Sequence, residues 1–91
     1  MMQRKHIQVF GTVQGVGFRH HTELIAKKLD IFGTVQNVED YVDIYAQGDE
    51  EKIKLFINKV IAGASPASSV SDYSIEDLDV TNRYSEFKTI Y

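Results

Sequence analysis

The chain has 91 residues, of which 43% are hydrophobic and 25% are charged, so residues 1–91 suffice for one soluble globular domain but not for two. It contains no cysteine, which excludes disulfide bonds and thiolate chemistry. The formal net charge is −3 and the sequence shows no basic patch, which argues against a nucleic-acid-binding protein.

The first predicted element is a strand over residues 5–13, along which apolar and polar residues alternate. Its apolar face consists of Ile7, Val9 and Val13. A helix is predicted over residues 20–30. Its apolar stripe consists of Phe18, Thr22, Ile25 and Leu29. A glycine-rich loop, residues 14–19, joins the strand to the helix.

This loop is a candidate anion-binding site. Gly15 and Gly17 allow positive φ angles and let successive amide groups point into one concavity. The helix start adds unpaired N–H groups, and Arg19 adds a planar guanidinium that suits a phosphate or carboxylate. The spacing is that of neither a P-loop nor a dinucleotide-binding fingerprint. From the residues alone, an exposed glycine-rich connection without a ligand is an equally good interpretation.

The remaining residues predict four strands and one helix. Strands over residues 33–38 and 41–46 form a hairpin, closed by a tight turn at Glu39 and Asp40. The second helix begins after Asp49, a good N-cap. Its apolar stripe consists of Ile53, Phe56, Ile57, Val60 and Ile61. The fourth strand, residues 70–80, has a broken alternation that indicates a bulge or an early end, and the fifth covers residues 86–91.

The order β-α-β-β-α-β with a closing strand predicts the α+β class. We expect a ferredoxin-like α/β sandwich, in which two helices pack on one face of an antiparallel sheet. The loop at residues 14–19 and the second strand should then meet near one end of the sheet. No apolar run approaches the length of a membrane span and no signal peptide is visible, so we expect a cytoplasmic monomer that binds no membrane.

Two stretches resemble the signatures of the acylphosphatase family. The first reads Gly11-Thr-Val-Gln-Gly-Val-Gly-Phe-Arg19, and the second reads Gly33-Thr-Val-Gln-Asn37. The second departs from the family pattern at Thr34, where a large aromatic residue is usual, and the hairpin lacks the family's Asp-Gly turn and is one residue shorter. Weaker similarity in three further segments extends the resemblance over nearly the whole chain.

The resemblance implies an enzyme that hydrolyses the carboxyl–phosphate bond of small acyl phosphates to a carboxylate and phosphate. It also implies that Arg19 and Asn37 are catalytic, the arginine on the phosphoryl group and the asparagine on the attacking water. The residues implied to bind the substrate phosphate are Gln14, Gly15, Val16, Gly17, Phe18 and Arg19. Because no set of side chains has recognisable metal-ligand spacing, we expect neither a metal nor a cofactor.

Two alternatives remain open. One is a non-catalytic ferredoxin-like module that senses an anion or regulates a partner. The other is an RNA-binding domain of the same topology, with Phe10, Tyr41 and Tyr45 as an aromatic platform on the open face of the sheet. The acidic net charge argues against the second alternative. The histidines complete no triad or metal set, so we expect surface or packing roles for His6, His20 and His21.

Overall fold

The computed structural model describes residues 1–91 as one five-stranded sheet and two helices. The elements are β1 (Met2–Thr12), α1 (Phe18–Lys28), β2 (Phe32–Val38), β3 (Tyr41–Asp49), α2 (Glu50–Ile61), β4 (Ser69–Leu78) and β5 (Phe87–Ile90). All seven predicted elements are confirmed, and β1 and β3 each extend three residues beyond the prediction at one end. Neither helix is both long and apolar enough to cross a bilayer.

The strands lie side by side in the order β4-β1-β3-β2-β5. The predicted antiparallel pairing is confirmed for the first four strands, whereas β5 runs parallel to β2. The direction of β5 follows from where β4 ends. The last residue of β4, Leu78, pairs with Arg4, at the end of the sheet where β2 begins. From there the chain crosses to the free side of β2 and starts β5 at the same end, so β5 runs in the same direction as β2.

Both helices pack on one face of the sheet, as the pattern of apolar residues predicts. The predicted apolar face of β1 is fully buried, and α2 buries Ile53, Phe56 and Val60 while Ile57 is half-buried at the margin. On α1, Phe18, Thr22 and Ala26 are buried, whereas Ile25 and Leu29 are only partly covered. The core is therefore a single layer of aliphatic and phenyl side chains between sheet and helices.

The predicted bulge lies on β4, next to Gly11 of β1. Phe10 pairs with Asp72 and Gly11 with Val70, so Ser71 has no partner in the ladder. Gly11 has φ +126°, and a Cβ at this position would collide with the carbonyl oxygen of Ser69. The same holds for Gly33 at φ +143°, where a Cβ would collide with the carbonyl oxygen of Tyr45 on the neighbouring strand β3. Only glycine fits at either position.

Two aliphatic residues on α2 test the assignment of its buried face. Ile53 is fully buried and Leu55, two residues further on, is 50% exposed. Ile53→Ala should reduce the free energy of unfolding by about 2–5 kcal/mol, because it opens a cavity in the core. Leu55→Ala removes a side chain of the same size at an exposed position and should cost far less. Urea denaturation of both variants measures the difference, and equal effects would mean that the helix face is misassigned.

Candidate active site

A small pocket opens at the end of the sheet where β1 and β2 finish and α1 begins. Its volume is about 140 Å³, below the roughly 300–1,000 Å³ of sites for drug-sized ligands. A phosphoryl group therefore fits better than a large organic ligand. The residues that line it are Val13, Gly15, Gly17, Phe18, Arg19, His20, Asn37 and Tyr91.

The glycine-rich loop turns directly into α1 at the pocket wall. Gly15 and Gly17 have φ angles of 73° and 76°, in the left-handed region that favours glycine. Gly17 is the N-cap of α1, and its carbonyl accepts the first helical hydrogen bond, from the N–H of His21 at 3.1 Å. The amides of the first helical turn have no acceptor within the helix, and the positive end of the helix dipole lies there. The loop thus offers a candidate anion site whose hydrogen-bond donors are backbone amides.

Gln14 fixes this loop to the β2–β3 hairpin. Its side-chain amide donates to the carbonyl oxygens of Glu39 at 3.1 Å and Tyr41 at 2.9 Å. Glu39 lies in the predicted two-residue turn, with φ 53°. The Gln14 side chain is therefore engaged with the turn and does not line the pocket, and Val16 packs against the core instead. Four of the six residues expected to bind phosphate remain at the pocket wall.

Arg19 reaches the pocket from the first turn of α1, and the end of the chain holds its guanidinium. Its Nη1 donates to the carbonyl oxygen of Ile90 at 3.1 Å. Its Cζ lies 4.8 Å from the centre of the Tyr91 ring, which is a cation–π distance. Most of the guanidinium N–H donors remain free for a ligand. Arg19 is thus oriented before any anion binds.

The end of β5 is in turn fixed to α1 by Glu23. Oε1 of this carboxylate accepts hydrogen bonds from the backbone N–H of Thr89 at 2.9 Å and from its hydroxyl at 2.6 Å. Oε2 accepts from Lys27 at 3.1 Å. The hydrogen bonds from Thr89, and then from Lys27, hold the pKa of Glu23 below its ordinary value.

Asn37 lies near the end of β2 and lines the same pocket as the loop. It shares the helix-facing side of the strand with buried Val35. Its Oδ1 is buried and has no hydrogen-bond partner in the protein. A buried carbonyl oxygen without a partner costs about 1–3 kcal/mol, so this atom is suited to accept a hydrogen bond from a water or ligand in the pocket. The structure therefore brings Arg19 and Asn37 together as expected.

Tyr91 lines the pocket, and Glu23 holds Thr89 at the end of β5 beside it, but the sequence analysis identified none of these three residues. Their roles follow from β5 lying beside β2, and nothing in a single sequence indicates which strands are neighbours. His20 also lines the pocket, and Nδ1 of His21 lies 2.9 Å from the Gly17 carbonyl oxygen. His20 is exposed, in keeping with the expected surface role, and both histidines lie next to the residue 14–19 loop.

On the opposite face of the sheet, the aromatic side chains pair with one another. His6 stacks on Tyr45 with ring centres 4.3 Å apart, and its Nε2 lies 2.6 Å from Oδ1 of Asp43. Phe10 lies against Tyr41 at 5.2 Å. These rings are half-buried by their neighbours, which leaves little flat surface for stacking a base. No group of three or more His, Cys, Asp and Glu side chains is placed to hold a metal ion.

Comparison with known proteins places this site in context. The family model described as acylphosphatase matches residues 5–89. An acylphosphatase of Staphylococcus haemolyticus is 57% identical over 98% of this chain and 100% of the relative, and one of Staphylococcus aureus (strain Newman) is 55% identical over the same shares. The crystal structure of acylphosphatase from Bacillus subtilis superimposes with a TM-score of 0.92 at 36% identity, covering all of both chains.

The lowered pKa of Glu23 makes a prediction about stability in acid. Its ordinary value is 4.5, and in the folded protein it is lower, so the unfolded chain takes up the proton first as the pH falls. The stabilisation by the carboxylate is thus fully present above about pH 4.5 and is lost as the pH falls through the folded-state pKa. Glu23→Gln cannot titrate. Its thermal midpoint should be below that of the wild type at pH 7, and the gap should shrink below pH 4.5. A gap that stays constant with pH would contradict the assignment.

Proposed function

Since the chain belongs to the acylphosphatase family, we propose that its reaction takes place in the pocket between the residue 14–19 loop and the end of β2, with Arg19 and Asn37 as the catalytic residues. The activity is hydrolysis of the carboxyl–phosphate bond of small acyl phosphates, which yields a carboxylate and phosphate. One observation supports this location above all others. A helix N-terminus, a pre-oriented guanidinium and an unpaired buried amide oxygen open into the same small pocket.

The phosphoryl group would bind at the loop. The amides from Gly15 to Arg19 surround the start of α1, where the free N–H groups and the dipole favour an anion. Arg19 would donate from its free N–H groups to the phosphoryl oxygens. In the loose transition state of phosphoryl transfer, charge is spread over these oxygens, so donors fixed in advance stabilise the reacting group.

The attacking water would bind to Asn37. Oδ1 of this residue accepts one hydrogen bond from the water and so orients the water oxygen toward phosphorus. The water oxygen forms the new bond to phosphorus as the bond to the acyl oxygen breaks, and the carboxylate leaves with the electron pair. An acyl phosphate is a mixed anhydride with a good leaving group, so orientation and charge stabilisation are the main needs. The water proton passes to an oxygen of the phosphoryl group itself, since no carboxylate side chain lines the pocket.

One chain supplies every residue in this scheme, so we expect the monomer to be active. The substrates are small acyl phosphates, because the pocket accommodates the phosphoryl group and leaves the acyl part toward solvent near exposed His20.

Substitution of the two catalytic residues separates their roles. Arg19→Ala should lose benzoyl phosphate hydrolysis by about 10³-fold or more and should also lose competitive inhibition by inorganic phosphate, because the anion's charged partner is gone. Asn37→Ala should lose turnover by about 10²–10³-fold but still bind phosphate, because it contacts only the water. Steady-state kinetics with phosphate as inhibitor measures both.

Gln36→Ala is the matched control for Asn37→Ala. Gln36 is the preceding residue of β2, is exposed and faces away from the pocket, so its loss should leave turnover unchanged. Circular dichroism of each variant verifies folding. A folded Asn37→Ala protein with near-normal turnover would eliminate the water-orienting role.

The proposed mechanism uses protein groups alone, so hydrolysis should not require a metal ion. Benzoyl phosphate turnover should be the same before and after prolonged dialysis against EDTA. A dialysed sample that is inactive and regains turnover on addition of Mg²⁺ or Zn²⁺ would refute a mechanism carried by Arg19 and Asn37 alone.

A further inference from the structure

The orientation of Arg19 depends on a strand with few contacts of its own. β5 has four residues, lies at the edge of the sheet and pairs only with β2. This pairing is parallel, the slightly weaker arrangement per residue. A short edge strand tends to fray at its end, and the end of β5 is where the Ile90 carbonyl meets the guanidinium.

Glu23 opposes this fraying from the helix. Arg19 and Glu23 are four residues apart on α1, so their side chains project from the same face, one turn apart. They contact consecutive residues of β5: Glu23 accepts from both donors of Thr89, and Arg19 donates to Ile90. The two side chains therefore hold the end of β5 as a pair.

We propose that Glu23 is a positioning residue for Arg19: through Thr89 it fixes the end of β5, and the Ile90 carbonyl then fixes the guanidinium at the phosphate loop. This inference rests on the role of Arg19 under the proposed function. Glu23 does not line the pocket, so its effect on Arg19 passes through β5.

The geometry also specifies which atom of Glu23 matters. Oε1 makes both contacts to Thr89, whereas Oε2 contacts only Lys27, whose side chain is about half exposed. Exposed ion pairs contribute little, whereas hydrogen bonds to a carboxylate are the stronger kind. Loss of the Thr89 contacts should therefore disturb Arg19, and loss of Lys27 should not.

Four variants test the proposal with benzoyl phosphate as substrate and inorganic phosphate as competitive inhibitor. Glu23→Leu removes both contacts and should raise the inhibition constant of phosphate and lower kcat/KM by about 10–100-fold, the scale of a small misplacement at a reacting centre. Thr89→Val removes the hydroxyl contact and should cause a smaller change in the same direction. Glu23→Gln keeps an acceptor for Thr89 and should restore most of the activity. Lys27→Gln is the matched control and should behave as the wild type.

A spectroscopic measurement accompanies the kinetics. The Nε–Hε signal of Arg19 in ¹H–¹⁵N spectra should be sharp in the wild type and in Lys27→Gln, because the guanidinium is held. In Glu23→Leu it should broaden or gain the dynamics of a free side chain. All measurements are made well below the thermal midpoint of each variant, so that a loss of stability alone changes neither readout.

The outcomes distinguish this inference from the proposed function. Folded Glu23→Leu and Thr89→Val proteins with wild-type phosphate inhibition and an unchanged Arg19 signal overturn the positioning role while Arg19→Ala remains inactive. If Glu23→Leu does not fold, Thr89→Val alone decides between the two results. An Arg19→Ala variant that still hydrolyses benzoyl phosphate and is inhibited by phosphate overturns the proposed site and this inference together.

Discussion

The hydrogen bond between Arg19 and the Ile90 carbonyl joins parts of the chain that are 71 residues apart, and the candidate site depends on it. A free arginine side chain samples many rotamers, and immobilising it on a ligand costs conformational entropy at each binding event. In this protein the Arg19 side chain is already ordered when the chain folds, because β5 pairs with β2 and its end contacts α1. The sheet topology is therefore part of the anion site.

Local sequence patterns predicted all seven elements but only part of the site. Gly15, Gly17 and Arg19 could be identified because the turn from a strand to a helix has local chemical requirements. The partners of Arg19 could not, because the parallel pairing of β5 depends on where β4 ends, a property of the whole sheet. The contacts of the Gln14 side chain could not be predicted either, since its two carbonyl acceptors lie in the distant hairpin.

Some polar side chains around the pocket have hydrogen-bond partners within the protein and one does not. Glu23, Thr89 and Gln14 all have their hydrogen-bond partners within the protein and give the pocket its shape. The oxygen of Asn37 has none and is left for whatever enters. A fold that satisfied this atom internally would gain stability, but its pocket would lose a contact for water.

Gly11 and Gly33, the first residues of the two family-like stretches, both lie against the backbone of a neighbouring strand where a Cβ cannot be accommodated. The last residues, Arg19 and Asn37, line the pocket. Each stretch thus begins with a glycine that the sheet requires and ends with a residue at the candidate site. If Arg19 and Asn37 have the roles proposed for them, a related chain in a genome survey that keeps both glycines but has replaced the arginine and the asparagine should share the fold without the activity.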